Sequence, residues 1–272
     1  MKGQKRKMAK KKILISNDDG IGACGIRMLT AALSEAADVY VCAPHRQRSA
    51  SGHGITIREG ICAEETEVPG AKAAYAITGT PVDCVKLGLF LLRNQGINID
   101  MVFSGINHGS NLGTDAVYSG TVSAALEGSL KGCPAVAVSV TADDPAHFEA
   151  ACSLAVCFAE EGAEWIGKDT TININVPDLA AEDIRGVRIA PLGKQLYAEE
   201  YLPGERADGT KIYFYHGEEL PPAEEEQGTD VRFASEGYAT ITPIHADLTF
   251  EAKLREIEAL AKELSRIPKT GL

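Results

Sequence analysis

Beyond its first twelve residues the sequence is short of basic side chains. Residues 1–12 hold seven of the 27 Lys and Arg and no acid, which leaves 20 (27 less 7) against 38 Asp and Glu, a net charge of −18. A body this acidic lacks the clustered cations that attract phosphodiester backbones, which argues against a specific nucleic-acid partner. Long apolar runs are also missing. None approaches the ~20 residues needed to span a bilayer, so no membrane partner is expected. Only four residues separate the basic tail from Asn17-Asp18-Asp19, too few and too polar for the apolar region of a signal peptide. The seven cysteines are odd in number and contain no CxxC pair. That pattern excludes a disulfide framework and fits thiols in a reducing cytoplasm. Internal repeats and long low-complexity segments are absent as well. What is present is ordinary: 272 residues, 44% hydrophobic and 24% charged, enough for a sizeable soluble core.

Short apolar runs alternate with helix-like stretches through the first two thirds of the chain. Ile13-Leu14-Ile15-Ser16, Val39 to Cys42, Ile55-Thr56-Ile57, Tyr75-Ala76-Ile77, Met101-Val102-Phe103, Ala135 to Val138 and Thr171 to Val176 read as strands. Ile26–Ala36, Pro81–Arg93, Thr121–Lys131 and His147–Trp165 read as helices, the second with proline in its first turn. Continuous apolar strands between helices are covered on both faces, which predicts a Rossmann-like, doubly wound, mostly parallel α/β sheet. After Pro177 the connections become rich in Gly, Pro and Glu. Val187 to Ile189, Lys211 to Tyr215 and Tyr238 to Thr242 read as strands, and Phe250 to Ser265 as a charged amphipathic helix. The expected organisation is a disordered basic tail (1–12), an α/β catalytic core (13–185), a β-hairpin or oligomerisation extension ending in a final strand (186–249), and a C-terminal helix (250–272).

In such a sheet, ligands bind beyond the carboxyl ends of the strands, where strand order reverses. The residues that follow each strand therefore form the candidate site. They are Asn17-Asp18-Asp19-Gly20, then Ala43 to Gly52, then Thr78 to Asp83, and then Ser104 to Thr121. All four loops are small and rich in oxygen. Two adjacent carboxylates suit a hard divalent cation, which wants oxygen ligands and offsets their repulsion. The plainer reading makes Asp18 and Asp19 a turn before Gly20, but an amide and a hydroxyl in neighbouring loops favour the cation. Ser119-Gly120-Thr121 opens a helix, where backbone N–H groups and the helix dipole form a phosphate cradle and glycine lets the backbone come close. Taken alone, that tripeptide fits an ordinary N-cap better.

One rival pattern overlaps the site. Gly20-Ile21-Gly22-Ala23-Cys24-Gly25 matches G-x-G-x-x-G between a strand and a helix, and Arg46 and Arg48 could grasp a 2′-phosphate. Against it, Asp18 and Asp19 would repel a pyrophosphate, and no acid closes the second strand to hold a ribose. The D-x-D pattern of aspartyl-phosphate phosphatases fails because Asn17 stands where the nucleophile belongs. Of the remaining polar residues, His53 reads as a loop residue satisfied by backbone partners, and His108 is as open to a substrate role as to a structural one. Asn111 and Asp115 read as shaping their loop, Asp83 as favoured by its helix dipole, Cys24 as packing, and Glu224 to Glu226 as a solvated face.

Together these loops resemble the SurE family of 5′/3′-nucleotidases. The matching blocks are Ile15 to Gly20, Ala43-Pro44 through Ser49, Gly79 to Val85, Ser104 to Val122, Asn173 to Pro177, and Gly237 to Thr249. The resemblance implies a metal-dependent phosphomonoester hydrolase acting on nucleoside 5′- and possibly 3′-monophosphates. It implies one Mg²⁺ or Mn²⁺ per subunit held by Asp18, Asp19, Ser49 and the amide oxygen of Asn107. The phosphate would lie against Ser119, Gly120 and Thr121 beside Asn107, and Asp18 or Asp19 would double as general base. A homodimer or homotetramer with a swapped C-terminal arm is implied too. A broader phosphatase or exopolyphosphatase with the same site, and a non-catalytic nucleotide-binding protein, stay open as alternatives.

Overall fold

The computed structural model describes residues 10–162 and 165–264. Its main sheet has nine strands. β1 (Lys12–Ser16), β2 (Asp38–Pro44), β4 (Ala71–Ile77), β5 (Met101–His108), β6 (Ala135–Val140) and β7 (Thr171–Val176) are mutually parallel. β3 (Ala63–Thr66) closes one edge antiparallel to β4. On the other edge β11 (Ala239–Ile244) runs antiparallel to β7 and pairs with β8 (Val187–Ile189). The order is β3-β4-β2-β1-β5-β6-β7-β11-β8, so the chain winds outward in both directions from β1 and β5. The expected doubly wound α/β sheet is present, with its switch point between these two strands.

The alternation of side chains divides the core in two. Ile13 and Ile15 face one side of the sheet with Val39, Val41 and Phe103, covered by α1 (Cys24–Ala36) and α4 (Glu149–Glu161). Leu14, Cys42 and Val102 face the other, covered by α2 (Pro81–Asn94) and α3 (Gly120–Leu130). Each fully buried side chain of this size contributes about 2 kcal/mol of transfer free energy. α2 begins on a capping box: the Thr80 hydroxyl accepts from Asp83 N–H, and the Asp83 carboxylate accepts from Thr80 N–H. Asp83 is thus a cap as well as a dipole partner, and it also accepts from Thr56 N–H.

Several elements differ from the sequence expectation. Ile55-Thr56-Ile57 is not a strand, because the Thr56 N–H is spent on Asp83 and Ile57 is 80% exposed. The edge strand is instead Ala63–Thr66, whose exposed Glu64 and Glu65 guard the edge against further pairing. α4 starts at Glu149 rather than His147, since the Asp178 carboxylate takes the N–H groups of Ala146 and His147. Of the strands in residues 186–249, β9 (Tyr197–Glu205) and β10 (Lys211–Glu219) leave the main sheet and pair as an antiparallel ribbon. β10 therefore pairs with β9, whose Pro203 and Gly204 a two-stranded ribbon can tolerate. A short helix, α5 (Asp230–Ser235), precedes β11, and α6 (Glu251–Leu264) ends the described chain.

Most of the basic tail and the last residues of the expected C-terminal helix lie outside the described residues. Lys10, Lys11 and Lys12 belong to the fold. Lys12 opens β1, while the Lys10 and Lys11 ammonium groups donate to carbonyls at the carboxyl ends of α1 and α4. Among the described residues no helix is long and apolar enough to cross a membrane.

Candidate functional site

The loop after β1 is folded by Asn17. Its amide donates to the Gly20 carbonyl at 2.9 Å and accepts from Gly20 N–H at 3.2 Å, closing a turn that aims Asp18 and Asp19 past the strand end. Gly20 has φ +98°, and a Cβ there would stand 3.1 Å from the Arg46 backbone. The β1 and β2 loops therefore pack directly on each other, with Arg48 N–H donating to the Asp18 carbonyl at 2.7 Å. This brings Ser49 alongside. Across the switch point, the ladder of β5 with β6 shifts between Ser104 and Asn107. Gly105 makes the bulge possible: its φ is +130°, and a Cβ would be 2.2 Å from the Val138 carbonyl. The bulge re-aims Asn107. Its amide nitrogen donates to the carbonyls of His108 (3.2 Å) and Gly109 (2.8 Å), which leaves Oδ1 as the acceptor end facing Thr121.

α3 approaches from below. Ser119 caps it by accepting from Val122 N–H, and Gly120 sits so close that a Cβ would be 2.8 Å from Asp18 Cβ, Asp18 Oδ2 and Ser51 Oγ. The Thr121 hydroxyl donates to Asp18 Oδ1 at 2.5 Å. Asp19 Oδ2 accepts from His108 N–H at 3.1 Å. Burial pushes the Asp18 carboxyl up to about 6, with the neighbouring Asp19 adding to the rise and the Thr121 hydroxyl opposing it. Asp19 is raised as well, again chiefly by burial, while the His108 N–H pulls it down.

Asp18, Ser49, Asn107 and Ser119 line one cavity of about 560 Å³. Thr121 does not line it but bonds both Asp18 and Asn107, and Asp19 and Gly120 adjoin Asp18 without lining it. Asp115, Asp143, Tyr197 and Glu219 line the same cavity, the last two from the ends of the β9–β10 ribbon. The wall carries four carboxylates and no Lys or Arg. Arg48, a candidate for grasping a 2′-phosphate on the dinucleotide reading, points its guanidinium to the Thr78 carbonyl. Among the described residues no group of three or more His, Cys, Asp or Glu is placed to hold a metal. On the wall Asp18, Ser49 and Asn107 gather a carboxylate, a hydroxyl and an amide oxygen, with the Asp19 carboxylate adjacent to Asp18, an all-oxygen set suited to Mg²⁺ or Mn²⁺.

His53 departs from expectation, because its partner is a side chain. Its Nε2 lies 3.1 Å from the carboxylate of Glu127, a residue the sequence reading passed over. Glu127 is buried on α3 and also receives Lys86 from α2 at 3.1 Å and Lys131 at 3.3 Å. Burial alone would raise it, but the bonds from His53 and Lys86 and the charges of Lys86 and Lys131 outweigh that and hold it at about 2. As the one charged residue in a helix of small and apolar ones, it carried a readable signal. A carboxyl lowered on folding stabilises fully above its unfolded value and loses that contribution as pH falls toward about 2. Glu127→Gln is therefore expected to cost about 2 kcal/mol at neutral pH and to flatten the loss of stability between about pH 5 and pH 2. Urea melts at several pH values would show it, and an unchanged acid slope would contradict the assignment.

Other residues also find roles. Asn111 sits in a buried network: its N–H donates to Asn175 and its amide to Ser139, and its carbonyl accepts from Asn173 and Asn175. Asp115 is bonded by the Tyr197 hydroxyl. Gly25, third glycine of the G-x-G-x-x-G run, would place a Cβ 1.9 Å from the Ile106 carbonyl, so it lets α1 pack on β5. Glu226 is buried and accepts from Lys194 N–H, unlike a solvated face. His108 packs its ring on Phe148, with Nε2 buried and without a hydrogen-bond partner.

A doubly wound α/β protein with an oxygen-rich, acidic cavity at its switch point is the class that fold and site define. Comparison with known proteins gives the family. The model of "Survival protein SurE" matches residues 13–199. A protein of Syntrophomonas wolfei named 5′-nucleotidase SurE is 46% identical over 88% of this chain and 90% of its own length. One of the same name from Pelotomaculum thermopropionicum is 41% identical over 94% and 98%. The crystal structure of the SurE protein from Aquifex aeolicus superposes with a TM-score of 0.78 at 35% identity, covering 92% of this chain and 99% of that one. The chain belongs to the SurE family.

Proposed function

We propose that this chain is a divalent-metal-dependent 5′-nucleotidase that releases phosphate from nucleoside monophosphates. The observation that carries the reading is the cavity wall: oxygen donors converge at the switch point, with four carboxylates and no Lys or Arg to meet a phosphate. Relatives of the same length are named 5′-nucleotidases. Asp18, Asp19, Ser49 and Asn107 would hold one Mg²⁺ or Mn²⁺ per subunit. Such an ion supplies positive charge against phosphate oxygens and lowers the pKa of a water.

The chain's own residues do the rest. Thr121 and the His108 N–H fix the two carboxylates, and two carbonyls fix the Asn107 amide so that its oxygen faces the site. The amino end of α3, at Ser119-Gly120-Thr121, puts its dipole toward the phosphate. Either Asp18 or Asp19 would take the proton from a water attacking phosphorus in line.

A homodimer or homotetramer belongs to the same reading. Its support is the exposed apolar surface of the ribbon (Tyr201, Tyr213, Phe214) and of α6 with the segment before it (Leu248, Phe250, Ile257). A cytoplasmic location belongs to the same reading, and the seven free cysteines support it. The test is phosphate release from a panel of 5′- and 3′-nucleoside monophosphates with Mg²⁺ or Mn²⁺, the 5′-monophosphates being hydrolysed fastest. No release from any of them with any divalent ion would return the reading to a nucleotide-binding protein.

A further inference from the structure

The segment that delivers Ser49 to the cavity is held in a costly shape. Ala50, the next residue, has φ +53° and is the one left-handed non-glycine among the described residues, and Gly52 follows at +52°. Such a turn persists only where its surroundings fix it. Before it, Arg48 N–H donates to the Asp18 carbonyl. After it, Gly52 N–H donates to the Tyr118 carbonyl at 3.0 Å, and the Thr80 hydroxyl donates to the Gly54 carbonyl at 2.7 Å. Those bonds hold backbone alone. Of the side chains from Ser49 to Gly54, only that of His53 has a hydrogen bond among the described residues, and its partner is Glu127. Glu127 is itself anchored: it is buried on α3, about two turns beyond Gly120, and Lys86 and Lys131 meet its other oxygen. A carboxylate kept ionised by two ammonium groups only accepts, so Nε2 of His53 carries the hydrogen of this bond.

We infer that His53, clamped by Glu127, is a positioning residue that sets Ser49 against a divalent ion in the cavity. The inference rests on the metal-dependent reading proposed above. Ser49 is the ligand that most needs such help. Asp18 is fixed by Thr121 and Asn107 by two carbonyls, whereas the Ser49 hydroxyl has no hydrogen bond among the described residues. A neutral hydroxyl ligates an ion only when it is brought within ~2.0–2.6 Å. The place of Ser49 therefore depends on its backbone, which is tied to the β1 loop through Arg48 on one side and to α3 through His53 on the other. His53 does not line the phosphate cavity, so it acts only through this loop.

The test is the dissociation constant for Mn²⁺ alone, measured by titration calorimetry on the full chain after chelation and without substrate. Groups that orient metal ligands typically carry ~10–100-fold in affinity, and His53→Ala is expected to weaken Mn²⁺ binding about tenfold. His53→Gln, whose amide nitrogen can donate in place of Nε2, should stay within about threefold of wild type. His53 is exposed, so the melting temperature of metal-free His53→Ala should fall by no more than about 3 °C. The decisive arm is Ser49→Ala. In that background His53→Ala should cost less than about twofold more, because both changes act on one ligand. Three results would overturn the inference: Mn²⁺ binding by His53→Ala within about twofold of wild type, an equal loss in His53→Gln, or a further loss of about tenfold when Ser49 is already absent. If Ser49→Ala itself binds Mn²⁺ as wild type does, Ser49 is no ligand, and the metal set of the proposed function fails with the inference.

Discussion

Asp19→Asn is expected to lower kcat/KM for a nucleoside monophosphate by at least about a hundredfold while leaving the fold in place. Loss of a group that merely orients a metal ligand already costs ~10–100-fold, and loss of a ligand charge costs more. The fold should survive because asparagine keeps an oxygen in the position that accepts the His108 N–H, now 3.1 Å from Asp19 Oδ2. Removing the carboxylate next to buried Asp18 also relieves repulsion, since Asp19 helps push Asp18 up to about 6. Stability should change by less than about 1 kcal/mol. Rates of phosphate release and a thermal melt of the same preparation decide the matter. Activity near that of wild type in a folded Asp19→Asn would remove Asp19 from the site.

Gly120→Ala should be nearly as damaging, for a different reason. Gly120 is the first residue of α3 and does not have a positive φ, so alanine there would ordinarily favour the helix, by up to ~1 kcal/mol in a helix interior. Space forbids it. The added methyl would lie 2.8 Å from both Asp18 Cβ and Asp18 Oδ2, and 2.8 Å from Ser51 Oγ. Either α3 retreats from the β1 loop or Asp18 swings away, and both break the Thr121–Asp18 bond that fixes the carboxylate. The expected result is a loss of ~1–3 kcal/mol, as for overpacking elsewhere, with kcat reduced about a hundredfold. A more stable and fully active Gly120→Ala would show that α3 need not approach Asp18 so closely.

What the sequence made legible is what local pattern encodes. The parallel strands were visible as unbroken apolar runs, and the oxygen-rich loops followed because each begins where a run ends. Asp18, Ser49, Asn107 and Ser119, proposed from those loops, line one cavity in the structure. β3 was hidden because Ala63–Thr66 has no apolar residue but alanine and is fully exposed. The partnership of β9 with β10 was hidden because Pro203 and Gly204 make β9 read as a connection. Glu127 and Glu219 escaped for another reason: two of the three partners of Glu127 lie 41 and 74 residues away, and Glu219 matters through a cavity wall. Only the isolation of Glu127 as the one charge in its helix hints at it in the sequence, and nothing adjacent announces Glu219. Gly105 was quoted within a matching block, but only the close approach of the Val138 carbonyl shows why no other residue serves there.

The central claim is that this cavity lacks a cation of its own and depends on a bound divalent ion to take a phosphate. The most direct measurement is the initial rate of phosphate release from a nucleoside 5′-monophosphate by wild-type protein stripped with chelator, before and after Mg²⁺ or Mn²⁺ is returned. The account predicts a fall of at least about a hundredfold on stripping and recovery on return of either ion. A full rate in protein shown to be free of metal would contradict it, and would mean that the protein's own groups bind and activate the phosphate.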